Sequence, residues 1–192
     1  MPPKARFTRE QITEAALDLV RDTGFENLTA RALGQRLGSS ACPVFTVFES
    51  MEEVQQSVLQ AARGVYKEYV ERGLAEEIAF KGVGAQYIQF AIREPRLFRI
   101  LFMSEHASIP RLDSVLPLID ESYDRILDSI VTGYRMRRET AERLYRHLWI
   151  YTHGIATLCA TGMCSFTGDE ISRMMTEVFV GLLKNMREET VE

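Results

Sequence analysis

Cysteine is scarce in this chain: 192 residues hold three, Cys42, Cys159 and Cys164. So few, and an odd number, exclude a disulfide framework. Long apolar runs are missing as well, and a membrane span needs about 18 such residues. The longest candidate, Trp149 to Cys164, is interrupted by His153, Gly154 and several threonines. The start, Met1-Pro2-Pro3-Lys4, lacks the apolar core of a signal peptide, so a cytoplasmic protein with no membrane partner is expected. Glycines are scattered singly, which leaves no phosphate-cradling loop. Neither charge dominates: 23 Lys+Arg against 27 Asp+Glu leave a net charge of −4.

Metal and catalytic patterns are equally thin. His147 and His153 stand six apart, off the i, i+4 spacing of a helical zinc pair, so no metal or cofactor is expected. His153 and Cys159 also fall on different faces of a helix, with no oxyanion element nearby, and no enzyme is expected. Cys159 and Cys164 lie five apart on a predicted helix and point to different faces, which argues against a disulfide between them. Cys42 has no His or Lys beside it to lower its pKa and reads as an inert small residue.

What is abundant is helical periodicity. Thr8 and Gln11 form a capping box, Phe7 and Ile12 a staple across it. Ile12, Ala15, Ala16, Leu19 and Val20 then mark one buried face, closed by Gly24 as an αL stop. Thr29 opens a second helix with Ala30, Leu33 and Leu37 inward, and Gly38 stops it. A third short helix is predicted from near Ser40, with Pro43 in its first turn. A fourth opens at the capping box Ser50-x-x-Glu53, with Val54, Val58, Ala61, Val65 and Tyr69 on one stripe. Longer helices are expected near 79–94, 114–135, 139–163 and 168–188, with a short one from Pro95 and a loop at 104–112. The last has its own capping box, Thr167-x-x-Glu170. The fold class is all-α in two parts: a three-helix head over 1–50 and a helical domain over 51–192, with 51–77 as linking helix.

Residues 28–48, LTARALGQRLGSSACPVFTVF, place two short helices on either side of a tight glycine turn. That is the grammar of a helix-turn-helix, whose second helix enters the DNA major groove. Here the chain resembles the TetR-type bacterial transcriptional regulators. The likeness runs from Ile12 to Leu59, through "ITEAALDLVRDTGFENLT", "ALGQRLG", "SSACPVFTVF" and "ESMEEVQQSVL", with Gly24-Phe25, Thr29 and Phe48 at the family's positions. "QYIQFAIREPRLFRILF" and "LWIYTHGIATL" resemble one subgroup, with its Trp149, His153 and Gly154 signature.

The resemblance implies a homodimeric repressor. Two heads would read the halves of a palindromic double-stranded operator, and a small-molecule effector in the C-terminal domain would release it. The last two helices would pack against their mates as a four-helix bundle. The stripe of Ile171, Met174, Met175, Val178, Phe179, Leu182, Leu183 and Met186 is wider than one neighbouring helix needs, which fits that arrangement. Two positions depart from the family pattern: Phe45 stands where a Tyr is common, and Met51 where a Lys is. Through residue 50 the chain has six basic and six acidic residues, and Ser39–Phe48 carries no Lys or Arg. Phosphate neutralisation supplies most non-specific DNA affinity, so that contribution should be modest.

The expected DNA-facing set is therefore Arg6, Thr29, Arg31, Ser39, Ser40, Ala41, Cys42, Phe45 and Thr46. Arginines and hydroxyls would hold phosphates or bases, while Ala41, Cys42 and Phe45 would meet thymine methyls. The expected effector pocket draws on Tyr87, Phe90, Phe98, Phe102, Met103, Tyr123, Leu127 and Trp149, with His153, Tyr123 and Thr157 as polar anchors. Taken singly, each of these side chains is as well explained by core packing. A helical ligand-binding or interaction protein with a vestigial head is the alternative class.

Overall fold

Short-range hydrogen bonds set where the helices begin. In the computed structural model, which describes residues 6–104 and 111–188, the Gln11 N–H donates to Thr8 Oγ1 at 3.2 Å. The Thr8 N–H donates back to Gln11 Oε1 at 2.9 Å, so the capping box is complete. Thr167 and Glu170 repeat it at 3.2 and 2.8 Å. At Ser50 the box is only half formed. Glu53 N donates to Ser50 Oγ, but the Glu53 carboxylate reaches one residue further, to the N–H of Glu49 at 2.7 Å. Arg9 bonds the same carboxylate at 2.7 Å, and these two donors hold it below the usual carboxylate range.

Among the described residues there are nine α-helices and no strand, as the all-α reading requires. They are α1 (Arg9–Thr23), α2 (Ala30–Arg36), α3 (Met51–Leu74), α4 (Ala79–Arg93), α5 (Pro95–Phe102), α6 (Leu112–Ile119), α7 (Tyr123–Tyr134), α8 (Arg138–Ala160) and α9 (Gly168–Glu188).

Several expectations need correction. The third short helix is not α-helical: Val44–Thr46 is one 3₁₀ turn, carried by i→i+3 bonds such as Thr46 N–H to Pro43 O at 3.3 Å. Pro43 removes a donor, Val44, Thr46 and Val47 are β-branched, and the Thr46 hydroxyl bonds back to Pro43 O at 2.7 Å. All three disfavour a full α-turn. The helix expected over 114–135 is two helices. Asp120 breaks it by accepting the Ser122 N–H at 2.8 Å on its own carboxylate, an Asx turn. Gly24 is not αL: its φ 98 and ψ 159 lie in a region open essentially to glycine alone. The α3 stripe is Val54, Val58, Ala62, Tyr66 and Val70, while Ala61, Val65 and Tyr69 are half-buried. α8 ends at Ala160, not 163.

The chain forms two compact units, the division falling inside α3. The first comprises residues up to Tyr66 with Arg96–Ser104. Its core is Ile12, Ala16, Val20, Leu33, Val44, Phe48, Val54 and Val58, with Leu97 and Phe98 also fully buried. The second holds Lys67–Pro95 and the rest of the chain. There α8 lies along α4 and also packs on α7 and α9. Ile88, Phe90, Ile126, Leu127, Ile130 and Leu144 are its fully buried centre.

Candidate functional site

In the first unit, α2 and the 3₁₀ turn are held unusually close. A Cβ on Gly34 would stand 2.7 Å from the Ser40 carbonyl carbon, and the Ser39 N–H donates to Gly34 O at 2.9 Å. Only glycine permits that approach, and it presents the residues after the turn to solvent. Ser40, Cys42 and Thr46 are exposed, Phe45 is 46% exposed, and Ser39 and Ala41 are half-buried. Arg6 joins them, its guanidinium donating to Ser39 Oγ at 3.2 Å. Thr29 caps α2 by accepting the Ala32 N–H at 3.2 Å, which commits its hydroxyl to the helix.

The cations of this unit are mostly engaged. Arg9 pairs with Glu53 and stacks over the Phe48 ring at 4.3 Å. Arg21 pairs with Asp18 at 3.2 Å and Arg36 with Asp22 at 2.6 Å. Arg31, exposed on α2, has no acidic partner among the described residues. Arg6 thus brings charge to a neutral, partly apolar turn, and Arg31 carries an exposed charge on α2. Lys4 lies outside the described residues.

The expected effector residues divide between the units. Phe98, Phe102 and Met103 belong to the first, where Phe102 packs edge-on against Tyr66 at 5.0 Å and tilts against Phe98 at 5.2 Å. Tyr87, Phe90, Tyr123, Leu127, Trp149, His153 and Thr157 belong to the second. Three of these meet directly. The Tyr87 hydroxyl and His153 Nδ1 lie 2.9 Å apart, and Trp149 stacks on the His153 ring at 5.1 Å and 22°. Burial drives the Tyr87 pKa far up, partly offset by a hydrogen bond with the Trp149 indole. Burial also lowers the His153 pKa. The tyrosine therefore keeps its proton, the imidazole stays neutral, and the 2.9 Å hydrogen bond joins two uncharged groups. Thr157, one turn along α8, has a buried hydroxyl with no partner among the described residues.

Phe90 and Leu127 are wholly buried in packing. Tyr123 stacks on Tyr145 at 5.7 Å, and Phe80 meets Tyr145 edge-on at 5.6 Å. Tyr145 and Phe80 were missed from sequence, although Tyr145 sits on the buried line Ala141, Leu144, Tyr145, Leu148, Thr152. A polar cleft of about 320 Å³ at the start of α8 is lined by Arg137, Thr140, Glu142, Arg143, Arg146 and Met186, and no expected effector residue borders it.

Residues 80–180, more than half of the chain, match the model of the tetracyclin repressor-like C-terminal domain. The chain belongs to the tetracyclin repressor-like family. It is a TetR-type regulator, and the matched stretch contains Tyr87, Trp149, His153 and Thr157. No curated protein matches the chain. No helix among the described residues is long and apolar enough to cross a membrane.

In this TetR-type chain α9 carries the expected stripe. Ile171 and Met186 are buried, while Met174, Met175, Val178, Phe179, Leu182 and Leu183 are all half-buried. Phe179 tilts against Tyr134 at 5.0 Å, and Thr152 donates to the Met175 sulfur at 3.5 Å. Ile150 on α8 is 46% exposed and Val180 on α9 is 55% exposed. One chain therefore leaves much apolar surface on these two helices in water.

The neutral His153 has a consequence for stability. Its folded pKa is depressed below the unfolded value near 6.5, so the unfolded state binds the proton more readily. This contribution to stability is complete above that value and is lost as pH falls through the folded pKa. Melting temperature should decline below about pH 6.5, and less steeply in His153→Gln. Equal slopes in thermal melts of the two proteins from neutral to mildly acidic buffer would refute this.

Proposed function

We propose that this TetR-type regulator is a homodimeric DNA-binding repressor, released from a palindromic operator by a small, largely apolar and uncharged ligand. The observation that carries the reading is the glycine-held pair of α2 and the 3₁₀ turn, with Phe45, Thr46 and Cys42 exposed, Arg6 bonded to Ser39 and Arg31 exposed on α2. Phosphates would be held by Arg6, Arg31 and the Ser39 and Ser40 hydroxyls, and base edges met by Ala41, Cys42, Phe45 and Thr46. Thr29 would act by capping α2.

Neutral hydrogen-bonding groups favour an uncharged ligand: Tyr87, His153 and Thr157 offer donors and acceptors without net charge. Trp149 and Tyr123 would supply aromatic walls. α3, which runs through both units, is the element through which occupancy would reach the head. The apolar face of α9, with Ile150 of α8, would be covered by its mate.

A mobility-shift assay with the gene's own upstream DNA, at stated salt, tests the reading. Specific retardation is expected, and compounds that raise the melting temperature should release the DNA. Arg31→Ala should weaken binding and reduce the slope of log K against log salt by about one. Unchanged affinity and slope in that variant would remove Arg31 from the reading surface. The pairing of Arg9, Arg21 and Arg36 within the head favours a second reading, a ligand-binding helical protein with a weak head. No retardation at low salt with any upstream fragment would select it.

A further inference from the structure

We propose that Cys159 and Cys164 form a reversible dithiol–disulfide pair that reacts with two-electron oxidants such as peroxides. Had α8 continued to residue 163, the two thiols would point to different faces. The helix instead stops at Ala160 and the chain reverses through Gly162, whose φ of 70 suits glycine. The N–H groups of Met163 and Cys164 both donate to Leu158 O, at 3.1 and 3.3 Å. The second of these bonds brings the Cys164 backbone onto the peptide that precedes Cys159. Covalent geometry on either side then keeps their Cα atoms within about 7 Å, whereas disulfides usually span about 4.4–6.8 Å.

The thiols also feel each other electrostatically, since Cys164 adds to the upward push that burial gives the Cys159 thiol. Both are free, Cys164 exposed and Cys159 half-buried. This difference orders the chemistry. Cys164, as thiolate, attacks one peroxide oxygen and breaks the O–O bond. The departing hydroxide takes up the thiol's proton and leaves as water, and Cys164 becomes a sulfenic acid. Cys159, as thiolate, then attacks the Cys164 sulfur, forms the S–S bond and expels a second hydroxide, which leaves as water. Two thiols lose two electrons and two protons, and one peroxide becomes two waters. An added thiol reductant reverses the bond by exchange. The bridge would tie the last turn of α8 to the segment entering α9.

The experiment is peroxide treatment of the full chain, alkylation of remaining thiols, and tryptic mass mapping. Trypsin cuts after Arg146 and Arg173, with no Lys or Arg between, so both cysteines fall on the single peptide 147–173. That peptide should appear unalkylated and lighter by two hydrogens, and dithiothreitol should restore it. Cys42→Ser should leave this species intact. Cys164→Ser should abolish it and leave Cys159 alkylatable, and Cys159→Ser should carry Cys164 on to sulfinic acid or cross-linked copies. The proposal is overturned if both thiols remain alkylatable after peroxide. It is equally overturned if Cys164 is found only bridged to Cys42 or to a second copy of 147–173.

Discussion

Phe179→Asp should convert the protein from dimer to monomer and abolish operator retardation. Phe179 is half-buried in one chain, on a face shared with Met175, Val178, Leu182 and Leu183. In a twofold assembly that face meets its own copy, so the substitution buries two carboxylates at once. An uncompensated charge in an apolar interface costs about 3–5 kcal/mol, so dimerisation should weaken by at least about a thousandfold. DNA affinity should fall with it, because two heads must meet half-sites about 34–36 Å apart. Leu182→Asp guards against a purely local effect, since Phe179 also touches Tyr134 within its own chain. Light scattering at micromolar concentration and far-UV dichroism together decide the matter. Monomers with full helix content in both variants are the expected result, and a wild-type monomer would end the dimer reading.

How much of this was legible in the sequence depended on how far apart the deciding atoms lie. Helix starts were legible, because Thr8 with Gln11, and Thr167 with Glu170, decide them within one turn. The Ser50 box was half legible, since the Glu53 carboxylate is claimed by Arg9, which no local pattern reveals. The stripe that periodicity gives α3, Val54, Val58, Ala61, Val65 and Tyr69, steps by fours and a three and stays on one side of the helix. Its buried positions instead advance by four each time, from Val54 to Val70, so the line winds around the axis. Burial follows whatever packs at each level, and that information is non-local.

Glycine was the least legible residue. Gly154 passes unnoticed inside α8, whereas Gly162 reverses the chain at φ 70. Reading the helix through that second glycine is what separated Cys159 from Cys164. At the candidate site, Trp149, His153 and Thr157 were legible as neighbours because they stand four apart on one helix. That Tyr87 meets His153 at 2.9 Å could not be read, since it depends on how α4 lies along α8.

The same non-local information sets opposite outcomes for two glycines of α4. Gly82→Ala should destabilise the second unit by about 3 kcal/mol or more, at the upper end of overpacking costs. Its Cβ would stand 2.3 Å from the Gly73 carbonyl oxygen, and a Cβ on Gly73 would stand 2.6 Å from the Val83 backbone. The Glu76 side chain, also within 3.0 Å of the Cβ added at Gly82, could rotate away, but the Gly73 and Val83 contacts are with backbone and cannot. Separation of the two helices would be required, and with it loss of contacts around Val83 and Val70, both nearly buried. Gly84 stands two residues on in the same helix, and its added Cβ would meet only the Met175 methyl at 3.9 Å. There Ala fits at ordinary contact distance and removes the entropic cost of glycine in a helix, about 0.8–1.0 kcal/mol. Gly84→Ala should therefore raise the midpoint of urea unfolding while Gly82→Ala lowers it steeply. Equal, small shifts in both variants would mean that α3 and α4 do not cross on Gly73 and Gly82. Gly133→Ala in α7, which would meet nothing within 4 Å, sets the scale for the propensity gain alone.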